Sequence, residues 1–305
     1  LAAGPLPGHG GVLYGLGADR VAAADISDPD HPTQAMLVVL GEHGWDTRLD
    51  SCRFAIADDG TPVVAAPGGF GDTMIFVVDP AEARGFRWGG YYTGAPGALA
   101  ILGDIALAGG DAGRVTVFET EHWGRLGALG TVGWVTDVAA GSGVTARMVF
   151  AAADAAGLRA IDAGDPARLA VSGMASDRAY HEAVAVDDGT AVLHYGGAGD
   201  VMSYAYEVYD VHDPAAPVKR ATVPKDAWEP WSGDPAMALA RGHLYRGALS
   251  RRGVTFSLVT VDISRADEAV ETQAMPVEGY LADLGADGDL LGLVRYDGSS
   301  PSEDN

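Results

Sequence analysis

The sequence predicts an all-β fold in which one four-stranded unit is repeated around a ring. Six times, an apolar strand ends in an acidic residue and then turns. The acids are Asp25, Asp79, Glu119, Asp162, Asp210 and Asp262, separated by 54, 40, 43, 48 and 52 residues. A period of about 40–50 residues with strand and turn chemistry is typical of a propeller blade. We therefore predict a six-bladed β-propeller, with residues 1–305 forming a single domain.

The clearest unit lies between residues 180 and 224, where alternating apolar segments are separated by turn-forming residues. An Asp-Pro pair follows its third strand. The Asp side chain can accept a backbone N–H two residues later, while Pro restricts φ and removes a hydrogen-bond donor. The four predicted strands are His181–Val186, Thr190–Tyr195, Tyr204–Val211 and Val218–Val223.

The closing blade is predicted to combine both ends of the chain. First strands begin near residues 51, 98, 137, 182, 236 and 281, and too few residues follow the last of these to complete a blade. Arg20–Ile26 and Gln34–Leu40 would then supply its third and fourth strands. Such closure removes sheet edges that favour aggregation. Val12–Gly17 and Asp289–Tyr296 both fit the second strand of this blade, so a count of seven blades stays open.

The run from Gly157 to Pro166, Gly-Leu-Arg-Ala-Ile-Asp-Ala-Gly-Asp-Pro, resembles the LVIVD-repeat β-propeller family. The segments 25–32 and 210–217 are similar to it and keep the second proline. The blades around Val78, Phe118 and Val261 depart from the pattern. The resemblance implies the propeller fold, and it carries no catalytic residues because the repeat motif is structural.

Composition limits the possible partners and location. The net charge of −22 repels phosphate backbones, so we expect no nucleic-acid partner. Cys52 is the only cysteine, which excludes an intrachain disulfide, and no apolar run reaches the ~18 residues of a membrane span. Arginine outnumbers lysine, as is typical of a high-GC bacterial genome. Because the chain starts at Leu1 without Met, its location stays open between cytoplasmic and secreted, and we expect a monomer or weak homo-oligomer.

The loops that join each fourth strand to the next first strand share a second regularity. All six carry Tyr or Trp, and five place an acid at or just before the first strand. In a propeller these loops converge on one face, where binding groups are usually found. Aromatic rings with carboxylates suit an aromatic or cationic small molecule. The predicted substrate-binding residues are Trp45, Arg48, Asp50, Tyr92, Trp134, Tyr180, Trp231, Tyr280 and Asp283.

Four residues in this mouth are candidates for acid–base catalysis: His181, Glu182, Asp137 and Asp234. Crowded carboxylates raise one another's pKa, and histidine titrates near neutral pH. Adjacent strand residues point to opposite faces, so only one of His181 and Glu182 should face the channel. The sequence has no zinc spacing, calcium loop or dinucleotide fingerprint, so we expect no metal and no cofactor.

Two functions are compatible with these patterns. The first is a cofactor-independent lyase or isomerase (cyclase) acting by acid–base chemistry in the channel mouth. The second is a non-catalytic ligand-binding or protein-interaction scaffold. In the second case the aromatics wedge between blades, and the acids at strand starts bind nearby backbone N–H groups.

Overall fold

The chain forms a succession of antiparallel β-sheets, each made of strands that follow one another in sequence. The computed structural model describes residues 2–6, 9–16, 20–25, 27–28, 31, 33–39, 53–57, 59–67, 72–79, 82, 86–93, 96–110, 113–131, 133–175, 181–195, 205–224, 237–249, 256–265, 268–277, 280–287 and 290–296. Within these residues there are six sheets of four strands and one sheet of two strands.

The strands are numbered in chain order, and sheets 1 to 7 follow the same order. Sheets 1 and 2 contain β1 (Ala2–Leu6), β2 (His9–Leu16), β3 (Arg20–Asp25), β4 (Thr33–Val39), β5 (Arg53–Ile56), β6 (Pro62–Pro67), β7 (Asp72–Val78) and β8 (Phe86–Thr93). Sheets 3 and 4 contain β9 (Pro96–Leu102), β10 (Ile105–Gly110), β11 (Arg114–Glu119), β12 (Arg125–Gly130), β13 (Val135–Ala140), β14 (Met148–Ala153), β15 (Gly157–Asp162) and β16 (Ala170–Ala175).

The remaining strands follow the same pattern. Sheets 5 and 6 contain β17 (His181–Asp187), β18 (Thr190–Tyr195), β19 (Ala205–Asp210), β20 (Val218–Pro224), β21 (Met237–Ala240), β22 (His243–Leu249), β23 (Phe256–Asp262) and β24 (Val270–Val277). Sheet 7 contains β25 (Tyr280–Asp287) and β26 (Leu290–Tyr296). Two 3₁₀ helices, Gly143–Thr145 and Asp154–Ala156, flank β14. No helix in these described ranges is long and apolar enough to cross a membrane.

The first strands of the sheets contact one another in order around a ring. β1 contacts β5, the contacts continue through β9, β13, β17, β21 and β25, and β25 in turn contacts β1. The predicted first-strand positions are confirmed, since these strands begin at residues 53, 96, 135, 181, 237 and 280.

The predicted sharing of one blade between the two chain ends is wrong for the residues that the structure describes. β1 to β4 form a sheet of their own, and β25 pairs with β26 instead. Val12 and its neighbours therefore form a second strand in sheet 1, while residues 290–296 form the second strand of sheet 7. The strand that sequence reasoning missed is β1, Ala-Ala-Gly-Pro-Leu, whose small residues show no apolar alternation.

The apolar core consists of layers between successive sheets, because most inner strands are covered on both faces. Along β6, Val64 and Ala66 pack in the layer shared with sheet 1, while Val63 and Ala65 pack in the layer shared with sheet 3. Corresponding layers join sheets 3 and 4, 4 and 5, 5 and 6, and 6 and 7. Burying one such aliphatic side chain contributes roughly 1.5–3 kcal/mol.

The recurring acid ends the third strand of each four-stranded sheet or directly follows it, and at five of the six positions its carboxylate accepts backbone N–H groups of the turn. Asp162 Oδ1 accepts the Gly164 N–H at 2.8 Å, and Asp262 Oδ1 accepts the Ser264 N–H at 2.9 Å. Asp25 and Asp210 accept the N–H two residues later in the same way. The turn chemistry predicted for the Asp-Pro pairs is confirmed at Asp165 and Asp213, whose Oδ1 atoms accept the N–H groups of Ala167 and Ala215 at 3.2 and 3.1 Å.

The same turns dock against the outer strand of the preceding sheet. Gly173 in β16 lies against the Pro214 and Ala215 carbonyls of the next sheet, and Gly127 in β12 lies against the Pro166 carbonyl. A β-bulge interrupts the pairing of the third and fourth strands in all six four-stranded sheets. The bulge bends the outer strand at this contact.

We expect Gly173→Ala to destabilise the protein by about 1–3 kcal/mol, because the added Cβ would lie 2.1 Å from the Pro214 carbonyl oxygen. The midpoint of urea unfolding measures the effect. Gly130→Ala is the matched control, since nothing lies within 4 Å of a Cβ at that position in β12. Equal midpoints for the two variants would show that the turn-to-strand contact does not stabilise the fold.

We expect Glu119→Gln to lower stability at pH 7, with a difference from the natural protein that shrinks as the solution is acidified. The N–H groups of His122 and Gly124 bond the Glu119 carboxylate and hold its pKa below its usual value. The stabilisation is therefore present above the usual value of 4.5 and is lost as the pH falls through the lower folded pKa. Urea midpoints at pH 7 and pH 3 measure it, with exposed Glu268→Gln as the control. A difference independent of pH would contradict this assignment.

Candidate functional site

Four of the predicted site residues that the structure describes cluster where β13 and β17 begin, and Tyr92 lies near the end of β8. Asp137 lies in β13, His181 and Glu182 lie in β17, and Trp134 directly precedes β13. Trp45, Arg48, Asp50, Tyr180, Trp231 and Asp234 lie outside the described residues. For Tyr280 and Asp283 the structure describes only the backbone, in β25.

Asp137 joins two neighbouring sheets through its carboxylate. Its Oδ1 accepts the N–H of Val138 at 2.9 Å, and its Oδ2 accepts the N–H of Val184 in β17, also at 2.9 Å. Thr136 beside it donates to the His181 backbone carbonyl at 2.8 Å. Two backbone donors stabilise the ionised carboxylate, so this geometry makes Asp137 an acceptor between sheets.

His181 is buried, with 1% of its surface exposed. Its Nδ1 lies 2.8 Å from the backbone carbonyl oxygen of Asp154. Because a carbonyl only accepts, Nδ1 must carry the proton and donate it. The ring also lies beside Tyr195, with ring centroids 6.3 Å apart. The arrangement holds the imidazole against sheet 4 and away from solvent.

Glu182 is half-exposed and reaches into the interior on one side. Its Oε2 lies 3.1 Å from Nδ1 of His194, a residue in β18 that is completely buried. Glu182 and His181 thus differ in exposure, in keeping with the alternation of side chains along a strand.

A row of polar and aromatic side chains continues from His194 into sheet 6. The rings of His194 and Tyr206 are 4.9 Å apart, and the Arg246 guanidinium lies 5.8 Å from the centre of the Tyr206 ring. Arg246 Nη2 then lies 3.7 Å from Glu271 Oε2. Burial raises the pKa of the Tyr206 hydroxyl, so it stays neutral at physiological pH.

Sequence reasoning missed His194, Tyr206 and Arg246. They could have been identified as polar residues that continue an apolar alternation along a strand. His194, two residues after Val192 in β18, is an example. Each such residue is covered by a neighbouring sheet, which the sequence pattern does not reveal.

The two described aromatic candidates of the mouth differ from each other. Tyr92 is buried, and its hydroxyl donates to the Gly109 carbonyl at 3.2 Å, so it contacts the neighbouring sheet. Trp134 is 61% exposed and lies in the connection that leads into β13. Among the mouth residues that the structure describes, Trp134 therefore has a side chain that a partner in solution can contact.

An open groove of ≈ 770 Å³ lies at the opposite end of sheets 3 and 4. Its walls include the β9–β10 turn at Gly103 and Asp104, and Arg147 in the connection that follows β13. Arg147 Nη2 donates to the Gly164 carbonyl at 3.2 Å. The three catalytic candidates that the structure describes, Asp137, His181 and Glu182, do not line this groove.

No family model and no curated protein matches the chain. Its fold is similar to that of the RRP9 WD40 repeats, with a TM-score of 0.63, 13% identity, and coverage of 92% of this chain and 82% of that one. A chain of a mitotic checkpoint complex is similar at a TM-score of 0.62 and 13% identity, covering 93% of this chain and 83% of that one. Hydrazine synthase of Kuenenia stuttgartiensis is similar at a TM-score of 0.56 and 13% identity, covering 79% and 72%.

At this low identity the likeness shows the fold alone. Together with the succession of four-stranded sheets around a ring, it shows that the chain is an all-β protein of the β-propeller class. The propeller provides a rigid scaffold on which loops and strand ends are presented.

We expect Asp137→Ala to destabilise the protein by about 1–3 kcal/mol, because it removes the acceptor of the Val138 and Val184 N–H groups. The urea midpoint measures the loss. Asp104→Ala is the control, since Asp104 is an exposed acid in the β9–β10 turn. If both variants unfold at the midpoint of the natural protein, the carboxylate does not hold sheets 4 and 5 together.

Proposed function

We propose that this protein is a non-catalytic interaction scaffold, and that a protein partner binds at the end of the sheets where Trp134 is exposed. One observation carries the proposal. Asp137 and His181 at this end bond to the backbone of neighbouring elements, while Trp134 beside them has 61% of its surface in solvent. An exposed Trp on a rigid support is the kind of residue that dominates the energy of protein interfaces.

Charge favours a basic partner. The net charge of −22 attracts cations and accelerates their encounter with the surface. One of the similar solved chains comes from a mitotic checkpoint complex, that is, from an assembly. That likeness supports an interaction role for this chain only by analogy of fold.

The alternative, a lyase or isomerase acting by acid–base chemistry, stays a prediction. A general acid or base must reach the proton that it transfers. His181 is buried against the Asp154 carbonyl, and Asp137 bonds two N–H groups, so the described geometry favours structural roles for both. Glu182 is half-exposed beside His194. Asp234 lies outside the described residues.

Two finer points of architecture belong to the same proposal. We infer that the propeller has seven blades, with β25 and β26 as the inner part of the seventh, and the contact of β25 with both β21 and β1 supports this. We also propose that the chain is related to the LVIVD-repeat propellers, on the basis of the motif at residues 157–166.

Photo-crosslinking tests the binding end. A benzophenone amino acid replaces Trp134 in one variant and Val144 in another, and each is irradiated in extracts of the source cells. Val144 is the matched control because it is 62% exposed but lies beyond the other end of β13, about 20 Å along the strand. We expect mass spectrometry to identify discrete protein adducts at position 134. The same adducts should not form at position 144.

The same adducts at both positions, or none at position 134, would overturn the proposed surface. A second measurement separates the enzyme alternative. If the purified protein consumes a metabolite from the extract, and both His181→Ala and Asp137→Asn abolish that consumption while Trp134→Ala preserves it, the enzyme hypothesis replaces the scaffold.

A further inference from the structure

The outer strand of sheet 2 carries two exposed aromatic residues on one face. Trp88 is 53% exposed and Tyr91 is 67% exposed, both in β8. Residues three apart on a regular strand point to opposite faces. Here a β-bulge intervenes, because Phe76 pairs with Trp88 while Ile75 pairs with Gly90. The extra residue brings both rings to the same side, about 7 Å apart along the strand.

At the bulge, the other side of β8 is filled by Trp123. This residue belongs to the turn that follows the third strand of sheet 3, and its backbone is left-handed at φ 60°. A Cβ on Gly89 would lie 3.1 Å from both the Trp123 ring and the Ile75 carbonyl oxygen. Trp88 takes the opposite side, where its ring meets Phe76 edge-on at 5.3 Å.

A carboxylate shares this face with the two rings. Met74 pairs with Tyr91 and Phe76 pairs with Trp88, so Asp72, two residues before Met74, points to the same side. Its position is diagonal to Tyr91, a separation of roughly 7–8 Å that side chains can bridge. Within the described part of the chain, Asp72 has no ion pair or side-chain hydrogen bond.

The nearest exposed cation along β8 does not neutralise this face. Arg87 pairs with Val77, and Val77 belongs to the layer between sheets 2 and 3, on the other side of the sheet. We refer to Asp72, Trp88 and Tyr91 as the aromatic–acidic face.

We propose that the aromatic–acidic face binds arginine side chains of a basic polypeptide partner. A guanidinium group stacks on the rings of Trp and Tyr and pairs with a carboxylate, so the three residues supply both modes of recognition. The net charge of −22 adds a long-range attraction for such a partner. The face is open, whereas small-molecule sites bury most of their ligand in a concave pocket. The bound cation is therefore a side chain of a polypeptide and not a free small molecule.

The test uses a fluorescein-labelled peptide of alternating glycine and arginine, followed by fluorescence anisotropy in 150 mM salt. At this ionic strength charges farther apart than about 8 Å are largely screened. We expect saturable binding, a Kd about two- to fivefold higher for Tyr91→Ala and for Trp88→Ala, and a comparable loss for Asp72→Asn. Tyr91→Phe keeps the ring and should bind like the natural protein.

The controls separate this face from general acidity and from small molecules. Glu268→Gln removes one exposed acid elsewhere, and Met174→Ala removes an exposed apolar side chain of sheet 4, so neither should change the Kd. A peptide with citrulline in place of arginine should not bind. Absence of saturable binding, or equal weakening by Glu268→Gln and Asp72→Asn, overturns the proposal. So does a single blocked arginine that binds as tightly as the peptide.

Trp88 also packs on Phe76, so each variant is first compared with the natural protein by its urea midpoint. If Trp88→Ala is unfolded, the more exposed Tyr91→Ala decides the outcome. This face lies on the outer strand of sheet 2, whereas Trp134 lies at the start of sheet 4. The two experiments therefore test different residues, so a negative result here leaves the proposed function standing, and the reverse also holds.

Discussion

The turn after the third strand is the contact on which the regular stacking of the sheets depends. An acidic side chain closes the turn by accepting backbone N–H groups, as at Asp162 and Asp262. The compact turn then presents its backbone carbonyls to the outer strand of the preceding sheet. At Gly173 and Gly127 that approach leaves little room for a Cβ. One local hydrogen bond thereby sets the distance between two sheets, and its repetition sets the distances around the ring.

When a strand is covered on both faces, its alternate side chains pack in two different layers and must fit both. Valine and alanine fill the interior of β6, and alternate positions of β6 and β14 face alternate neighbours. This packing leaves little tolerance for polar groups unless they have partners. Polar residues in the interior therefore occur where they have partners, such as Asp137 with Val184 of the next sheet or His194 beside Glu182 within sheet 5. The ion pairs Lys219–Glu207 and Arg246–Glu271 join strands of the same sheet, whereas the Asp137 carboxylate joins two sheets.

The same packing explains why the sequence predicts where the mouth residues lie along the strands but not what their side chains do. Asp137 and His181 lie at the predicted strand starts, so the prediction of their location is confirmed. The partner of Asp137 lies 47 residues away along the chain, and that of His181 lies 27 residues away. A carboxylate that bonds two backbone donors has the same sequence signature as one that faces a substrate. Only the neighbouring sheet distinguishes them.

The sequence by itself determined the class of fold, the first-strand positions of sheets 2 to 7, the four strands of sheet 5 and the Asp-Pro turns, because these depend on residues close together in the chain. It did not reveal β1, whose small residues lack alternation, nor the separation of sheets 1 and 7. Tertiary structure alone decided which side chains meet. Trp123 fills the space beside Gly89, the bulge at Gly89 turns Trp88 and Tyr91 to one face, and no local pattern encodes the contact with Trp123. The physical reason is that a bulge inverts the alternation of every later side chain, and its position is set by packing against another sheet.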